Sequence, residues 1–411
     1  MTSAPTSPLR ELVADSVSPN RLRDVAWLRT YLDSGAPAGE PIMLSLGETW
    51  NQTPAALRAA LRQVPDHSHG YQISMYGLPL LRRVLKDYVA DTQRLPKDES
   101  WELAVSWTGT RSAMRDFGTR LRRGTMLAVA PAWDYAGVFE PMGFDSVYVP
   151  FDPAEHGGPG PQAVRATAGS VRDLALVVLN AQHNPTGANW SSELVEAMIE
   201  VAIERGAAIL VDDAYYGMCP EPATSALEIL LDRFGGGPSP VPWLGVRSLG
   251  KQFGCNGWAL GAVIAEPGPL DDLVNEVRPQ HTFNYGIHLQ WAMAAWLSDR
   301  SAVDSYLERH REETAEKRAA VLSWLPPSSR ARAIAGPAAP YVLYRVPDGS
   351  TVEQYLRRAA LECGVLLSDA WPLARVADTG STGYVRMYLG PSRTELAQAR
   401  NRLSERALWP A

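Results

Sequence analysis

The sequence has little cysteine. Its 411 residues include three cysteines, Cys219, Cys255 and Cys363, all in the second half of the chain. Three separated thiols are too few for a disulfide framework or a thiolate metal site, because both need cysteines in matched groups. The composition therefore predicts a reducing compartment, and we expect a cytoplasmic location.

The chain also lacks an excess of positive charge and a long apolar run. It has 39 Lys and Arg residues against 45 Asp and Glu residues, a net charge of −6, which argues against a nucleic-acid surface. The start, MTSAPTSPLRELVADS, contains no apolar segment of the length that a secretory signal needs. No later stretch approaches the roughly 20 apolar residues of a membrane span. We expect neither a nucleic-acid partner nor a membrane partner.

What the sequence does contain is a series of short apolar runs that predict buried parallel strands. They lie at residues 102–107, 125–130, 146–151, 174–179, 207–212, 243–248 and 261–266. Helical patterns separate most of them. In SSELVEAMIEVAIERG, Ser191 or Ser192 can cap the helix start, and Leu194, Met198 and Ala202 line one face. This order predicts an α/β layer structure, and the length predicts more than one lobe.

The last third of the chain has a different pattern. Residues 288–325 predict a long helical connection that is broken or bent near Ser298. After Pro326, the run YVLYRV, a helix from about Val352 to Cys363 and the run GYVRMYLG suit a small α+β lobe.

One lysine segment raises a question of chemistry. Residues 245–251, GVRSLGK, nearly match the nucleotide-binding pattern G-x-x-x-x-G-K-[ST]. The match fails at Gln252, where a Ser or Thr hydroxyl should coordinate magnesium. Ser248 also lies at an apparent strand end and not in a glycine-rich turn. A nucleotide site at Lys251 is therefore disfavoured, which leaves a structural lysine or a lysine with covalent chemistry.

Other segments decide between these two. SLGKQFGCNG at 248–257 resembles the lysine segment of the pyridoxal-phosphate enzymes of aminotransferase class I/II, the fold-type I group. NPTG (184–187), DDAYYG (212–217) and YVRMYLG (384–390) resemble the family's asparagine-proline, D-x-A-Y and C-terminal arginine motifs. TGTRSAM (108–114) and PAWDY (131–135) fit its phosphate loop and ring-stacking position. Each match is weak alone, but together and in family order they identify the chain as a diverged member.

The resemblance implies an architecture. A large domain has a mostly parallel seven-stranded sheet, and both termini form a smaller α+β domain. The implied bounds are 1–50 for an N-terminal arm and part of the small domain, 51–290 for the large domain, 291–325 for a connecting helix and 326–411 for the small domain. It also implies a homodimer with active sites at the interface.

Three residues, Lys251, Asp212 and Tyr215, match the family's catalytic positions. The aldehyde of pyridoxal 5'-phosphate needs a primary amine that forms an imine and later moves a proton, and Lys251 matches it. The ring nitrogen stays protonated beside a buried carboxylate. Asp212 matches that residue, with a capping or turn aspartate as the alternative. Asp213 would face the opposite side of the strand, so we expect a structural role for it.

Three residues match positions around the cofactor ring. Asn184 and Tyr215 match the donors to the phenolic oxygen, although an asparagine before proline is often only a turn former. Trp133 matches the stacking position, with plain core as the alternative.

Phosphate binding shows a departure from the family. The turn that matches the phosphate loop opens a helix, where free N–H groups favour an anion; it comprises Gly109, Thr110 and Arg111. Ser248 matches a further ligand. The family usually has an arginine eight residues after the lysine, where this chain has Ala259. We expect Arg111, and second Arg247, to supply the missing cation.

Substrate binding is implied for two residues. Arg386 resembles the arginine that holds the α-carboxylate in a bidentate pair, with a surface or salt-bridge role as the alternative. Gly47 resembles the glycine whose backbone closes on the same carboxylate. Tyr71 is similar to the tyrosine that reaches the neighbouring subunit's phosphate, and Tyr76 competes for that role because the spacing is one residue longer than usual.

The leading hypothesis is a homodimeric pyridoxal-phosphate aminotransferase that acts on an amino acid. The alternatives that keep the cofactor are a β- or γ-elimination or replacement lyase and an oxidative deaminase. A regulator that senses pyridoxal phosphate without catalysis is disfavoured, because the residues before Gly47 offer neither length nor charge for a DNA-binding domain.

Overall fold

The main sheet has a strand at each of the seven predicted runs, but the run at 261–266 forms an antiparallel strand and not a parallel one as predicted. The computed structural model describes residues 23–48, 52–150, 158–220, 222–347, 349–371 and 383–410. After a short strand β1 (Ile42–Met43), seven strands follow: β2 (Glu102–Ser106), β3 (Thr125–Val129), β4 (Asp145–Val149), β5 (Leu174–Leu179), β6 (Ala208–Asp212), β7 (Trp243–Ser248) and β8 (Gly261–Ala265). They pair in the order β2-β8-β7-β6-β5-β3-β4. Neighbours are parallel except β8, which is antiparallel to β2 and to β7.

The sheet is buried on both faces. Every residue of β3, β5, β6 and β8 is buried, as expected for parallel strands covered by helices on each side. Alternate residues enter two different hydrophobic clusters, so that Leu103 and Val105 lie in one and Ala104 lies in the other. The near-continuous apolar runs of the sequence follow from this two-sided burial.

Helices connect and cover the strands. Up to the connecting region they are Ala55–Ala60, Pro79–Gln93, Thr110–Arg120, Tyr135–Phe139, Pro161–Ser170, Ser192–Glu204, Ala226–Phe234, Leu249–Phe253 and Pro267–Asp272. The first helix, Arg23–Asp33, belongs to the small lobe instead, where Val25 and Leu28 pack against Leu366. Of the two predicted caps, Ser191 is the one used: its Oγ accepts a hydrogen bond from Leu194 N at 3.3 Å.

The predicted long connection consists of two helices. Ile287–Ser298 ends one residue before Asp299, and Arg300–Trp324 follows. The Asp299 carboxylate accepts from Ala302 N at 3.1 Å, so it caps the second helix at the break that was predicted near Ser298.

A second, smaller lobe is built from both ends of the chain. Strands β9 (Tyr341–Arg345), β10 (Val365–Leu366), β11 (Ser368–Asp369) and β12 (Tyr384–Tyr388) belong to it, together with helices Pro327–Arg330, Val352–Cys363 and Arg393–Glu405. β12 pairs antiparallel with β9 and β11, while β1 from the N-terminal part pairs parallel with β10. The predicted architecture is confirmed. The predicted domain bounds stay a prediction, and residues 1–22 of the expected N-terminal arm lie outside the described residues.

Two glycines join the lobes. Gly336, ahead of β9, donates from its N–H to Thr186 O at 3.0 Å, and Ala338 N donates to Gly187 O at 2.7 Å. A Cβ on Gly187 would lie 2.6 Å from Gly336 O, and one on Gly336 would collide with the Gly187 backbone. Neither position has room for a side chain.

Within the described residues, no helix combines the length and apolarity needed to cross a bilayer. The same part of the chain contains no cluster of three or more His, Cys, Asp or Glu residues suited to a metal ion. The three cysteines are free thiols and are buried.

Candidate active site

The predicted catalytic residues meet at one edge of the sheet. The parallel neighbours β6 and β7 end at Asp212 and Ser248. The helix Leu249–Phe253 follows β7 at once, and Ser248 Oγ accepts from Lys251 N at 3.5 Å. Ligand sites of open α/β sheets lie outside these carboxyl ends. Gly245 lies inside β7, so the segment is a strand and helix start and not a nucleotide-binding loop.

Lys251 is partly buried, and its amine lies in a polar chamber beside Gly47, Tyr215 and Tyr341. Its Nζ donates to the carbonyl oxygen of Gly47 at 2.7 Å, and Asn256 Nδ2 donates to the same oxygen at 2.7 Å. Burial lowers the pKa of the Lys251 amine, because an ammonium loses its hydration inside the protein. The amine is therefore more readily uncharged than an exposed lysine, as a nucleophile or general base requires.

Asp212 faces the same side of the sheet as the chamber. Its Oδ2 accepts from the Tyr135 hydroxyl at 2.8 Å, and Asn180 Nδ2 donates to its backbone oxygen at 2.7 Å. Burial raises the pKa of this carboxyl to about 6. A nearby cation would restore the ionised form, so the position suits a carboxylate that pairs with a protonated ring nitrogen.

Asp213 and Arg247 point away from the chamber and belong to a hydrogen-bonded network with Gln93, Tyr88 and Gln252, here called the rear network. Asp213 Oδ2 accepts from Gln93 Nε2 at 2.6 Å, and Arg247 Nη1 donates to Gln93 Oε1 at 3.3 Å. Arg247 Nη2 donates to the Tyr88 hydroxyl at 3.3 Å, which in turn donates to Gln252 Oε1 at 3.0 Å. These five side chains are fully or almost fully buried. Burial also raises the pKa of Asp213 to about 7.

Arg247 therefore points away from Ser248, and the structure does not bring it to the expected phosphate turn. It was the second choice for the missing cation. Its guanidinium instead stacks over the rings of Tyr88 and Tyr216, at 4.8 and 5.2 Å from their centroids. Alternation along β7 separates the two neighbouring side chains.

Arg386 on β12 reaches across to the large lobe. Its Nη1 donates to Asn184 Oδ1 at 2.9 Å, and its Nη2 donates to Ser45 O at 2.8 Å. Nε donates to Ser368 Oγ at 3.0 Å. The side chain is buried, which excludes the surface alternative. Arg386 and Asn184, two predicted site residues, are thus in direct contact.

Tyr215 lies beside the lysine chamber. Its hydroxyl is 2.5 Å from the hydroxyl of Tyr341 on β9. A Cβ added to Gly47 would lie 2.8 Å from the Tyr341 oxygen, 3.0 Å from Lys251 Nζ and 3.6 Å from the Tyr215 oxygen. Only glycine fits at position 47, because any side chain would occupy the space between these three polar atoms.

The predicted phosphate turn opens an eleven-residue helix. Gly109 has a φ of +80° and precedes Thr110–Arg120. Its N–H donates to Ala259 O at 2.9 Å, so this N–H is already bonded. The following N–H groups, starting at Thr110, belong to a first helical turn, where no intrahelical acceptor exists. They form the anion-binding end of the helix.

Arg111 and Trp133 are in contact near this turn. The Arg111 guanidinium lies 4.4 Å from the centre of the Trp133 ring, and its Nη2 is 3.1 Å from Asp134 Oδ2. The Arg111 side chain is 40% exposed, so it has room to move toward an anion. Its role as the missing cation, and stacking of Trp133 on a ring, stay predictions.

Tyr71 and Tyr76 have opposite surroundings. The Tyr76 hydroxyl donates to Asp271 Oδ1 at 3.0 Å within the same chain, and Arg82 stacks on its ring. Tyr71 is 77% exposed and contacts the rings of Phe283 and Tyr285. Tyr71 is thus the more exposed of the two, and the choice between them stays a prediction.

Sequence reasoning missed several residues of the site. Tyr341 and Ser45 belong to no motif, and only their place in the folded chain brings them to Lys251 and Arg386. Ser368 lies next to β12 through the pairing Ser368↔Arg386, which the sequence does not reveal. Tyr135 was quoted within PAWDY, and its position two residues after Trp133 was the available signal.

The donor set fits pyridoxal phosphate. It offers a buried amine, a buried carboxylate, a tyrosine hydroxyl, a helix N-terminus for an anion and a glycine that leaves space beside the amine. These are the groups that such a cofactor needs for attachment, ring charge, ring oxygen and phosphate.

Comparisons with known proteins agree. The model of the family "Aminotransferase class I and II" matches residues 41–403. An aspartate/prephenate aminotransferase of Thermus thermophilus is 26% identical over 366 residues, which cover 88% of this chain and 90% of that protein. The aspartate aminotransferase structure from Thermus thermophilus with maleate superposes with a TM-score of 0.77 at 22% identity, covering 98% and 99% of the two chains. Substrate-bound BacF from Bacillus subtilis gives a TM-score of 0.78 at 18% identity, with 99% coverage of each chain.

The fold and the site define a fold-type I pyridoxal-phosphate enzyme. The chain belongs to the aminotransferase class I and II family. It is an aminotransferase with pyridoxal 5'-phosphate as cofactor, as the leading hypothesis predicted, and the lyase and deaminase alternatives are not favoured by its relatives.

Proposed function

We propose that this aminotransferase uses Lys251 to move the proton at the α-carbon of an amino acid whose α-carboxylate is held by Arg386. The observation that carries the proposal is the segment Ser45–Gly47. Its Ser45 carbonyl accepts from Arg386 and its Gly47 carbonyl accepts from Lys251. One short stretch of backbone therefore holds the Arg386 guanidinium and the Lys251 amine at the same chamber.

Each remaining residue has a proposed task. When bound, pyridoxal phosphate accepts the amino group and withdraws electrons from the α-carbon. Asp212 would hold the ring nitrogen, since its carboxylate is buried on the chamber side. Asn184 and Tyr215 would donate to the ring oxygen, and Trp133 would cover the ring. The phosphate would be bound at Gly109, Thr110, Arg111 and Ser248.

We propose a homodimer that completes the site. The aromatic patch consists of Tyr71, Ile73, Phe283 and Tyr285, which are the large hydrophobic side chains exposed among the described residues. A β-bridge between Gln72 and Asn284 holds the two segments together. An apolar patch of this kind marks an interaction surface, and a second copy would bring its Tyr71 to the phosphate turn.

The substrate class is an α-amino acid with a free carboxylate, and the acceptor is a 2-oxo acid. A relative is named for aspartate and prephenate and another for histidinol phosphate, so the names do not agree on one substrate, and the carboxylate is proposed from Arg386. The three free, buried cysteines support the cytoplasmic location, which stays a prediction.

The test combines labelling with product analysis. Borohydride reduction of the protein with pyridoxal phosphate, followed by peptide mapping, should place the pyridoxyl mass on Lys251. Incubation with a panel of amino acids and 2-oxo acids should transfer the amino group between them, and Lys251→Ala should abolish both results. Label on another lysine would contradict the assignment of Lys251. Ammonia or an eliminated side-chain fragment as the product would replace amino transfer by deamination or elimination.

A further inference from the structure

Tyr341 occupies the centre of the contacts between the two lobes at the site. It begins β9 and pairs with Tyr388 across the antiparallel ladder. The Arg386 guanidinium lies 4.4 Å from the centre of its ring, and the Tyr215 ring lies edge-on at 5.8 Å. The side chain is 1% exposed. Tyr341 thus touches both the proposed carboxylate-binding arginine and the proposed ring-oxygen donor.

Only one proton fits between the hydroxyl oxygens of Tyr341 and Tyr215. At 2.5 Å the bond is short for two hydroxyl groups. One phenol donates its proton to the oxygen of the other. The proton of the accepting phenol then points to a different acceptor. If Tyr341 donates to Tyr215, the Tyr215 proton is free for a ligand, whereas the reverse direction leaves Tyr215 with no proton to give.

The surroundings favour the first direction once the chamber holds an acceptor. A phenol that accepts a hydrogen bond becomes a better donor itself, because the two bonds polarise each other. Burial raises the pKa of Tyr215 well above its usual value, so Tyr215 retains its proton. The Tyr215 proton would point into the space beside Gly47, which Lys251 Nζ and both phenol oxygens border.

We propose that Tyr341 is a positioning residue that donates its hydroxyl proton to Tyr215 and so directs the Tyr215 proton to the phenolic oxygen of the cofactor. This inference rests on the proposed roles of Lys251 and Tyr215. A stronger donor at that oxygen lowers its affinity for a proton, and also the affinity of the adjacent nitrogen contributed by Lys251. Tyr341 would therefore adjust the proton balance of the amine without contact to the substrate.

The same strand offers a matched control. Tyr344 is also fully buried on β9, and its hydroxyl is 2.9 Å from the hydroxyl of Tyr355 in the core of the small lobe. Tyr344→Phe removes one hydroxyl from a buried phenol pair, as Tyr341→Phe does. A merely structural role of Tyr341 would give the two variants the same consequences.

The experiment is a pH titration of the visible absorbance of bound pyridoxal phosphate, together with its dissociation constant. For Tyr341→Phe we expect the absorbance midpoint to rise by about half to one pH unit and turnover to fall about three- to tenfold, the worth of one hydrogen bond. Tyr344→Phe should match the wild type in absorbance midpoint and in turnover. Tyr215→Phe should shift the midpoint further, and adding Tyr341→Phe to it should change nothing more, because Tyr341 acts through Tyr215.

An unshifted midpoint in Tyr341→Phe, or an additive shift in the double variant, would overturn the inference. Failure of the proposed function looks different. In that case the wild type and Tyr344→Phe would not attach the cofactor at Lys251 at all, and no midpoint could be measured in any variant.

Discussion

Asp212 and Asp213 are adjacent in sequence and have separate surroundings. Asp212 accepts from Tyr135 on the chamber side, and Asp213 accepts from Gln93 in the rear network. The pKa values of both carboxyls are raised, chiefly by burial. A buried carboxyl that must be ionised for function is costly for the fold, a common conflict at active sites.

Asp212→Asn should therefore stabilise the cofactor-free protein while abolishing amino transfer. An acid whose pKa rises on folding contributes stability at low pH and loses it as the pH passes through the folded value. For Asp212 that loss falls between about pH 4 and about pH 6. Asparagine keeps an acceptor for Tyr135 and cannot ionise. In urea unfolding at equal protein concentration, we expect the variant to match the wild type at pH 4 and to exceed it by roughly 1 to 3 kcal/mol at pH 8.

Asp213→Asn is the control for activity, because it alters the neighbouring buried carboxyl and leaves the chamber intact. It should keep most of the turnover. Loss of turnover in Asp213→Asn together with an active Asp212→Asn would reverse the assignment.

At this scale the sequence predicted the residues of the site that lie in motifs. Lys251, Asp212 and Tyr215 were identified through the family resemblance, and the structure places them at the ends of β6 and β7 or within three residues of those ends. Tyr341 and Ser45 were missed because their hydrogen bonds at the site join distant segments: Tyr341 and Tyr215 are 126 residues apart, and Ser45 and Arg386 are 341 residues apart. Arg247 was the second choice for the cation, but it lies on the opposite side of β7 from Ser248.

Among the elements, the turn of NPTG and the segment ahead of β9 are in close backbone contact. Gly336→Ala would place a Cβ against the Gly187 backbone, which cannot move aside as a flexible side chain would. The small lobe should shift, and Arg386 should lose its contact with Asn184. We expect the KM of the amino acid to rise about tenfold or more and stability to fall by roughly 1 to 3 kcal/mol, measured by steady-state kinetics and urea unfolding.

Gly169→Ala is the matched control for this substitution. It adds the same methyl group within the helix Pro161–Ser170, where nothing lies within 4 Å of the new atom. It should leave the KM unchanged. A normal KM in Gly336→Ala would mean that the two lobes accommodate the methyl group without moving the site.

Elements were predictable where burial alone determines the pattern. The seven strands are apolar because both faces of the sheet are covered, and the break near Ser298 follows from the capping residue Asp299. The two-residue strands β1, β10 and β11 were not predicted, because so short a segment has no periodicity of its own. Their pairing depends on the rest of the small lobe.

At the scale of the whole molecule, the aromatic patch predicts that two inactive variants restore each other. Tyr71→Ala should lack the group given to the partner site, and Lys251→Ala should lack the amine. In a mixed dimer, the site on the Tyr71→Ala chain has its own Lys251 and receives Tyr71 from the partner. Refolding an equal mixture should recover about a quarter of wild-type activity, since half of the dimers are mixed and each has one intact site.

Tyr76→Phe in place of Tyr71→Ala provides the contrast. Tyr76 is bonded to Asp271 of its own chain. A partner chain with an intact Tyr76 therefore cannot restore the activity lost through a defect at this position. Recovery with Tyr76→Phe and none with Tyr71→Ala would exchange the two assignments.

The α/β class and the mixed origin of the small lobe were predictable from the order of elements and from the family resemblance. The homodimer was expected from the resemblance and stays a prediction, whereas the aromatic patch was not predictable, because exposed aromatic side chains are defined only by the folded surface. Tyr71 was named as a candidate, but the other aromatic residues of the patch, Phe283 and Tyr285, come from a segment about 210 residues later.

The rear network has a consequence for chain length. Asp213, Arg247 and Gln252 are the immediate sequence neighbours of Asp212, Ser248 and Lys251, and they point to the other side. Inserting or deleting one residue at either strand end would exchange the sides of the residues there, because side chains of a strand alternate with a period of two. A buried arginine would then face the chamber, and Lys251, in the helix that follows β7, would turn by about 100° away from its place. These two short segments should therefore tolerate many substitutions better than any change in length, the reverse of what surface loops allow.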